Sequence, residues 1–287
     1  MQTYKITEEN IPPDLEPDKD ILLYRYMSYS SLCEILINDY IQMIPVGKFS
    51  DKLEGKAIEK ILLKLYPKNL RAIELAMPDY YRTIYISSWY KIKNQIDNKK
   101  VENAAMWDRY TRDNESVLVE TNANLLLDCI RNGSYKGPII IKPVKYIGAE
   151  YSDVDIENIG EWFQYERICF YYKFIDFVDE SEVRILCATK FNQGGLASLR
   201  DEYLLNMQKG EQRAIEISGF SPYLDMLPLG ISSANTLIQK IIISPKAHNN
   251  FIKIVKQQIE IINIWREENN KDRIECKIVE SGQKRWL

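Results

Sequence analysis

The stretch Val183-Arg184-Ile185-Leu186-Cys187-Ala188 is the clearest strand signal in the chain, because branched and apolar residues surround a single charged one. Successive side chains of a strand point to opposite faces of the sheet. The odd-numbered residues of this stretch are therefore expected to face the core. Glu180, Glu182 and Arg184 would share the opposite face, pointing outward or into a cleft.

Helical and strand patterns interleave irregularly on either side of this strand, and no Gly-rich phosphate loop interrupts them. This arrangement favours an α+β fold over a doubly wound sheet. We predict a single α+β domain over residues 21–287, with a mixed or mainly antiparallel sheet and flanking helices, after an extended N-terminal arm over residues 1–20. Further strands are predicted at residues 21–26, 41–44, 83–89, 116–121, 138–147, 213–217, 237–243 and 274–279. Helices are predicted after Ser28 and Asn122 and at residues 58–65, 102–111, 168–177 and 251–262. A polar loop is predicted at residues 190–212.

Composition narrows the possible partners and the compartment. A net charge of -3 disfavours generic nucleic-acid binding. No apolar run approaches the ~18 residues of a membrane span, and the first residues lack the apolar core of a signal peptide. The 5 cysteines are isolated from one another, as in buried free thiols of a reducing compartment. We therefore expect a cytoplasmic protein without a membrane partner.

His248 is the only histidine, which excludes multi-histidine metal centres and HExxH zinc sites. It follows a Ser-Pro-Lys-Ala segment where a helix is expected to begin, so a surface or capping role is favoured over a general base. No metal site is predicted. The weakest alternative is a divalent-metal enzyme with oxygen ligands from Asp51, Glu54, Glu180 and Glu182.

Six segments of the chain, at residues 23–26, 49–54, 86–89, 105–110, 180–185 and 243–247, carry short motifs in a fixed order. Together they resemble the bacterial family called domain of unknown function 2971, over roughly residues 21 to 281. Met-Trp-x-x-Tyr and Glu-x-Glu-x-Arg are the most specific motifs, whereas Ser50 and Lys52 depart from the Phe-Asn-Asp-Pro usual in the family. The resemblance implies a setting in bacterial phage-defence gene neighbourhoods but no reaction.

The order of polar residues also resembles the Arg-Ser-Glu arrangement of ADP-ribosyltransferases: Arg25 lies in an early strand, Ser87 and Ser88 in a middle strand, and Glu180 and Glu182 in a late one. The resemblance implies that the arginine holds the NAD pyrophosphate and that a serine orients the nicotinamide ribose. The catalytic glutamate would stabilise the oxocarbenium-like sugar as nicotinamide leaves. It predicts an enzyme that transfers or hydrolyses ADP-ribose, with NAD as a substrate and not as a tightly bound cofactor.

This hypothesis makes a structural prediction about Glu182. The residue is expected in a concave site with Arg25 within a few side-chain lengths, and Glu182→Gln is expected to abolish function while leaving the fold intact. A binding role is predicted for Arg184 on the same strand face. Trp107 and Tyr110, three residues apart on one helix, would form either part of the core or an aromatic wall for a base or nicotinamide.

A second hypothesis is a non-catalytic sensor or protein-interaction module of a bacterial defence system, with a protein partner. It is motivated by the 19 tyrosines and 5 tryptophans, the single histidine and the lack of a strong catalytic motif. Under this hypothesis the side chains of Glu180, Glu182 and Arg184 form ion pairs with one another on a strand face exposed to water. A pocket lined by Trp107, Tyr110 and the two glutamates would oppose it.

Overall fold

The β-branched and aromatic runs of the sequence form strands that pair into one large sheet, with helices packed against it. The computed structural model of the chain describes residues 21–49, 84–91, 102–111, 114–135, 139–148, 171–188 and 225–283. Within these ranges the sheet is mixed but mostly antiparallel, so the predicted α+β fold class is confirmed. The predicted N-terminal arm, the helix at 58–65, the loop at 190–212 and the strand at 213–217 lie outside the described residues.

The described strands are β1 (Leu22–Ser28), β2 (Tyr40–Pro45), β3 (Ile84–Lys91), β4 (Ser116–Asn122), β5 (Ile139–Pro143), β6 (Lys145–Ile147), β7 (Tyr172–Phe174), β8 (Glu182–Ala188), β9 (Leu227–Gly230), β10 (Lys240–Ile243) and β11 (Lys277–Glu280). The described helices are α1 (Tyr29–Asn38), α2 (Ala104–Tyr110), α3 (Ala123–Arg131), α4 (Ala234–Leu237) and α5 (Phe251–Glu268). Two 3-10 helices span Val46–Lys48 and Ile175–Glu180.

The strands of the large sheet follow the order β11-β10-β4-β1-β3-β2-β9, and β8 lies between β3 and β5 on a side branch. Within this sheet β10 and β11 are parallel, and the other described pairs are antiparallel. The short strands β6 and β7 form a separate parallel pair. Because β3 pairs with three strands, it is the branch point of the sheet.

The sheet divides along one edge of β3. The whole of β8 takes the other edge, with pairs running from Ile84 to Tyr90. On the divided edge, β1 pairs only with Tyr90 and Lys91, whereas β2 pairs only with Tyr85 and Ile86. We call the gap between β1 and β2, beside residues 87–89 of β3, the sheet split.

Strand register assigns every residue to one of two faces. The face that carries Leu23, Val119 and Val183 packs against α1, α3 and α5 and forms the main hydrophobic core, and we call it the core face. The opposite face carries Tyr24 and Tyr26, which pack against α2 in a smaller apolar cluster, and we call it the α2 face. Asn122 and Ser28 start helices α3 and α1 by accepting backbone N–H groups, as their positions in the sequence predict.

Most predicted elements that fall on described residues are confirmed. The clear error is residues 168–177: residues 171–177 contain β7 and the start of a 3-10 helix, and no α-helix. The cause is an aromatic run whose apolar residues suit either structure. Helix α5 extends six residues further than predicted, Leu237 ends α4 and does not start a strand, and β9 was not predicted. None of the described helices is both long and apolar enough to cross a membrane.

Candidate functional site

The predicted Arg-Ser-Glu grouping is not formed, because strand register places its members on opposite faces of the sheet. Tyr24 pairs with Tyr90, and Tyr90 pairs with Glu182, so these three side chains share the α2 face. Arg25, the next residue of β1, therefore points to the core face. The prediction that Arg25 and Glu182 face one concave site is not met, because strand register turns the two side chains to opposite faces of the sheet. The two serines are divided in the same way, Ser87 with Arg25 and Ser88 with Glu182.

Glu180, Glu182 and Arg184 were expected to face solvent or a cleft, but all three are buried. Arg184 binds Glu182 through two hydrogen bonds, Nε to Oε1 at 2.6 Å and Nη2 to Oε2 at 2.9 Å. Lys173 on β7 lies 2.5 Å from Glu180 Oε2 and 3.3 Å from Glu182 Oε2. Arg109 on α2 donates to the other oxygen of Glu180 at 2.5 Å. We call these five residues the buried ion network.

The electrostatics of the network keep Glu182 ionised. Burial alone would raise the pKa of Glu182, but the charges of Arg184 and Lys173 and hydrogen bonds from Arg184 and Ser88 outweigh it and lower the pKa to about 2. A carboxyl with so low a pKa carries no proton to donate near neutral pH. Both of its oxygens already bind cations, which offset the negative field that an oxocarbenium ion would need.

A left-handed residue brings the two glutamates together. Ser181 ends the 3-10 helix with φ 40° and ψ 48°, and β8 begins at the next residue. Glu180 therefore belongs to the 3-10 helix and not to the strand, contrary to the prediction that residues 180, 182 and 184 alternate along one strand. The turn at Ser181 directs both carboxylates to the single ammonium group of Lys173.

The two aromatic residues of α2 have different surroundings. Trp107 is buried and meets Tyr26 edge to face, with ring centroids 4.9 Å apart, so its core alternative is the one that the structure supports. Tyr110 is 41% exposed at the rim of the buried ion network. Desolvation and the charges of Glu180 and Glu182 raise the pKa of Tyr110, so its hydroxyl stays protonated. The predicted aromatic wall therefore reduces to Tyr110.

Arg25 contrasts with the paired cations of the α2 face. Its Nη2 donates to the backbone oxygen of Gln42 on β2 at 3.1 Å. The side chain of Arg25 therefore spans the sheet split from β1 to β2. Its Nη1 is enclosed and has no hydrogen-bond acceptor within the described part of the chain. The residue as a whole is half-buried, with its guanidinium 5.8 Å from the ring centroid of Trp89. Burial lowers the pKa of Arg25 to about 10, so the group remains charged at neutral pH.

Two more unsatisfied donors lie beside Arg25 on the core face. The hydroxyl of Ser87 and the indole Nε1 of Trp89 are both enclosed without a partner in the described residues. They lie two residues apart on β3, hence on the same face and roughly 7 Å apart along the strand. The remaining buried atoms of this kind are Tyr29 Oη on α1 and Thr121 Oγ1 on β4. Three donors thus border the sheet split.

Unsatisfied buried donors are uncommon, because each one loses its hydrogen bond to water without replacement. A guanidinium without a counter-charge is more costly still, by several kcal/mol for a buried ion. An anion that accepts from Nη1, with Ser87 and Trp89 beside it, would remove both deficits. The sheet split is therefore the better candidate for a ligand site, and the buried ion network is already satisfied by its own members.

The sequence pattern singled out Arg25 and Ser87 as polar residues in apolar strands, but it did not identify several residues that lie beside the predicted site residues. Trp89 was interpreted only as an aromatic residue of the predicted strand at 83–89. Lys173 and Arg109 were not selected, although a lone lysine within an aromatic run at residues 171–174 was a usable signal. Asp51 and Glu54 of the metal alternative lie outside the described residues, and the described residues contain no group of three or more potential metal ligands.

Comparison with known proteins adds no assignment: no protein-family model, curated protein sequence or solved structure matches this chain. The resemblance to domain of unknown function 2971 therefore stays a prediction.

Proposed function

We propose that the chain is a sensor that binds a phosphate-bearing ligand at the sheet split, with NAD as the first nucleotide to test. The observation that carries this proposal is the enclosed Nη1 of Arg25, a charged donor with no acceptor among the described residues. A planar guanidinium presents paired donors that suit phosphate and carboxylate oxygens. The hydroxyl of Ser87 and the indole N–H of Trp89 would add two neutral donors to the same anion.

A binding role is better supported than ADP-ribosyl transfer. In the predicted enzyme the arginine and the glutamate contact one NAD molecule, whereas Arg25 and Glu182 point to opposite faces of the sheet. Glu182 also forms ion pairs with Arg184 and Lys173, so its negative charge is neutralised within the protein. This reading joins the nucleotide of the first sequence hypothesis to the non-catalytic role of the second. A bacterial setting in phage defence forms part of the same proposal and rests on the family resemblance, whereas the cytoplasmic location rests on the isolated cysteines and the first residues of the sequence.

Isothermal titration calorimetry on the full chain tests the site with NAD, ADP-ribose and inorganic phosphate. We expect binding by the parent chain and about 10- to 100-fold weaker binding by Arg25→Met, because a hydrogen bond to a charged group contributes about 1.5–3 kcal/mol. The matched control is Arg131→Met, since Arg131 is a surface residue near Asp128 on α3. Equal binding by the parent chain and Arg25→Met would remove the sheet split as the site.

An assay of nicotinamide release separates sensing from catalysis. Incubation with NAD is expected to yield binding without release of nicotinamide. Turnover that disappears in Glu182→Gln, with that variant still folded, would replace the sensor by the enzyme of the Arg-Ser-Glu hypothesis. Turnover that disappears only in Arg25→Met would locate a different reaction at the sheet split.

A further inference from the structure

Helix α5 carries a second apolar face that no other described part of the chain covers. Its inner face is buried in the main core through Val255, Ile259 and Ile262. On the outer face Ile254, Ile261 and Ile264 are 46%, 56% and 57% exposed, and Trp265 is 37% exposed. A surface helix ordinarily has polar residues on that side, and contiguous exposed apolar residues mark an interaction surface. These four residues are the apolar stripe of α5.

The spacing of the stripe suits packing against another helix along its length. Three members of the stripe, Ile254, Ile261 and Trp265, lie on a row of alternating four- and three-residue steps whose other positions are Gln258 and Glu268, and Ile264 lies beside this row. This is the 3.5-residue repeat that keeps a seam facing a partner helix. The helix has 18 residues and is therefore about 27 Å long, enough for five such positions.

The charges on α5 select the partner. Lys253 and Lys256 lie in its first two turns, and Glu267 and Glu268 lie in its last turn. Lys253 and Glu268 have no ion-pair partner among the described residues, whereas Glu267 pairs with Arg273 of the same chain. A second α5 running antiparallel would place each free lysine opposite a free glutamate. A parallel copy would place like charges together, which is unfavourable.

We propose that the chain forms a twofold dimer in which the apolar stripes of two α5 helices pack antiparallel, with the axis near Ile261. Twofold contacts bring the same patch of both copies together, so one apolar stripe supplies both sides of the interface. Near the axis each Ile261 meets its counterpart, and Ile254 of one copy lies beside Glu268 and Trp265 of the other. The apolar stripe shares no residue with the sheet split. Dimer formation and ligand binding can therefore be tested separately.

Sedimentation equilibrium on the full chain measures the assembly. We expect a reversible dimer, and we expect Ile261→Lys to weaken its dissociation constant by about tenfold or more, because each dimer would bury two lysines at the axis. Ile175→Lys is the matched control, since Ile175 is a comparably exposed isoleucine in the 3-10 helix Ile175–Glu180. A parent chain that remains monomeric at every attainable concentration would overturn the proposal.

A charge exchange tests the antiparallel orientation. Lys253→Glu and Glu268→Lys are each expected to weaken the dimer, and the double variant is expected to restore it, because the opposed charges again differ in sign. A parallel dimer would keep like charges together in the double variant and gain nothing from it. Failure of the double variant to recover, with its fold intact by circular dichroism, would contradict the antiparallel arrangement.

Discussion

Two arginines of the same sheet show opposite solutions to the burial of a guanidinium. Arg184 on the α2 face is fully buried but binds both oxygens of Glu182, and Lys173 and Glu180 extend the network. Among the described residues, Arg25 on the core face has a carbonyl oxygen and an indole ring as neighbours and no ion-pair partner. Removing one partner of a buried ion pair strongly destabilises the fold, because the other charge is left buried and uncompensated. A buried cation that has no partner lowers the stability of the fold from the start. Our proposal rests on this difference: Arg184 stabilises the fold, and Arg25 binds the ligand.

The largest expected effect breaks the paired side of this comparison. Glu182→Gln removes the charge that neutralises Arg184 and Lys173, so the free energy of unfolding should fall by about 3–5 kcal/mol. Urea denaturation followed by tryptophan fluorescence measures it. Glu275→Gln is the control, since Glu275 is exposed and uses only its backbone N–H in a described contact, and it should change stability by less than about 0.5 kcal/mol.

This outcome replaces the sequence-based expectation that Glu182→Gln leaves the fold intact. If the variant unfolds at the same urea concentration as the parent chain, the buried ion network does not stabilise the protein. Glu182 would then return to the list of candidates for catalysis.

The acid side of the stability curve offers a second test of the paired side. The pKa of Glu182 is about 2 in the folded protein, against an ordinary 4.5. Its stabilising contribution is therefore complete above about pH 4.5 and is lost as the pH falls toward 2, by about 3 kcal/mol in all. We expect the stability difference between the parent chain and Glu182→Gln to shrink over this window. A difference that stays constant from pH 5 to pH 2.5, within about 0.5 kcal/mol, would show that Glu182 is not held ionised by its partners.

The smaller and opposite effect concerns the unpaired side. Arg25→Met keeps an unbranched apolar stem and removes a charge that has no ion-pair partner among the described residues, so stability without ligand should be unchanged or higher by up to about 2 kcal/mol. The same change at Arg184 should lower stability by about 3–5 kcal/mol, because it leaves Glu182 with Lys173 alone. Equal losses for the two variants, measured by the same urea titration, would mean that Arg25 has a stabilising partner after all.

The sequence predicted the strands of the large sheet well, because alternation and β-branched residues report directly on a half-buried surface. It also predicted that Val183, Ile185 and Cys187 face the core, and all three are buried there. It failed where the run at residues 171–174 is aromatic on both faces, since such a run has no period that separates helix from strand. The left-handed turn at Ser181 was not predictable either, because the residue with positive φ is a serine and not a glycine.

The site was harder to predict, because it depends on which strands become neighbours. Alternation correctly separates Arg25 from Tyr24, but only the pairing of β1, β3 and β8 shows that Glu182 shares a face with Tyr24. A one-residue change of register in either pair would have placed Arg25 and Glu182 together. The ion pair of Glu182 with Lys173, nine residues earlier on β7, depends in turn on the 3-10 helix and the left-handed turn at Ser181 that lie between them.

The most direct test of the account is urea unfolding of the parent chain and Arg25→Met, each with and without saturating NAD and, separately, inorganic phosphate. If Arg25 is kept for binding, the parent chain should be the less stable or equal of the two without ligand. It should then gain about 2.7 kcal/mol when the ligand is at 100 times its dissociation constant. At the same ligand concentration Arg25→Met should gain only about 0.4–1.4 kcal/mol, because its dissociation constant is expected to be about 10- to 100-fold weaker. A parent chain that neither ligand stabilises, or an equal gain in both proteins, would contradict the assignment of the sheet split as the binding site.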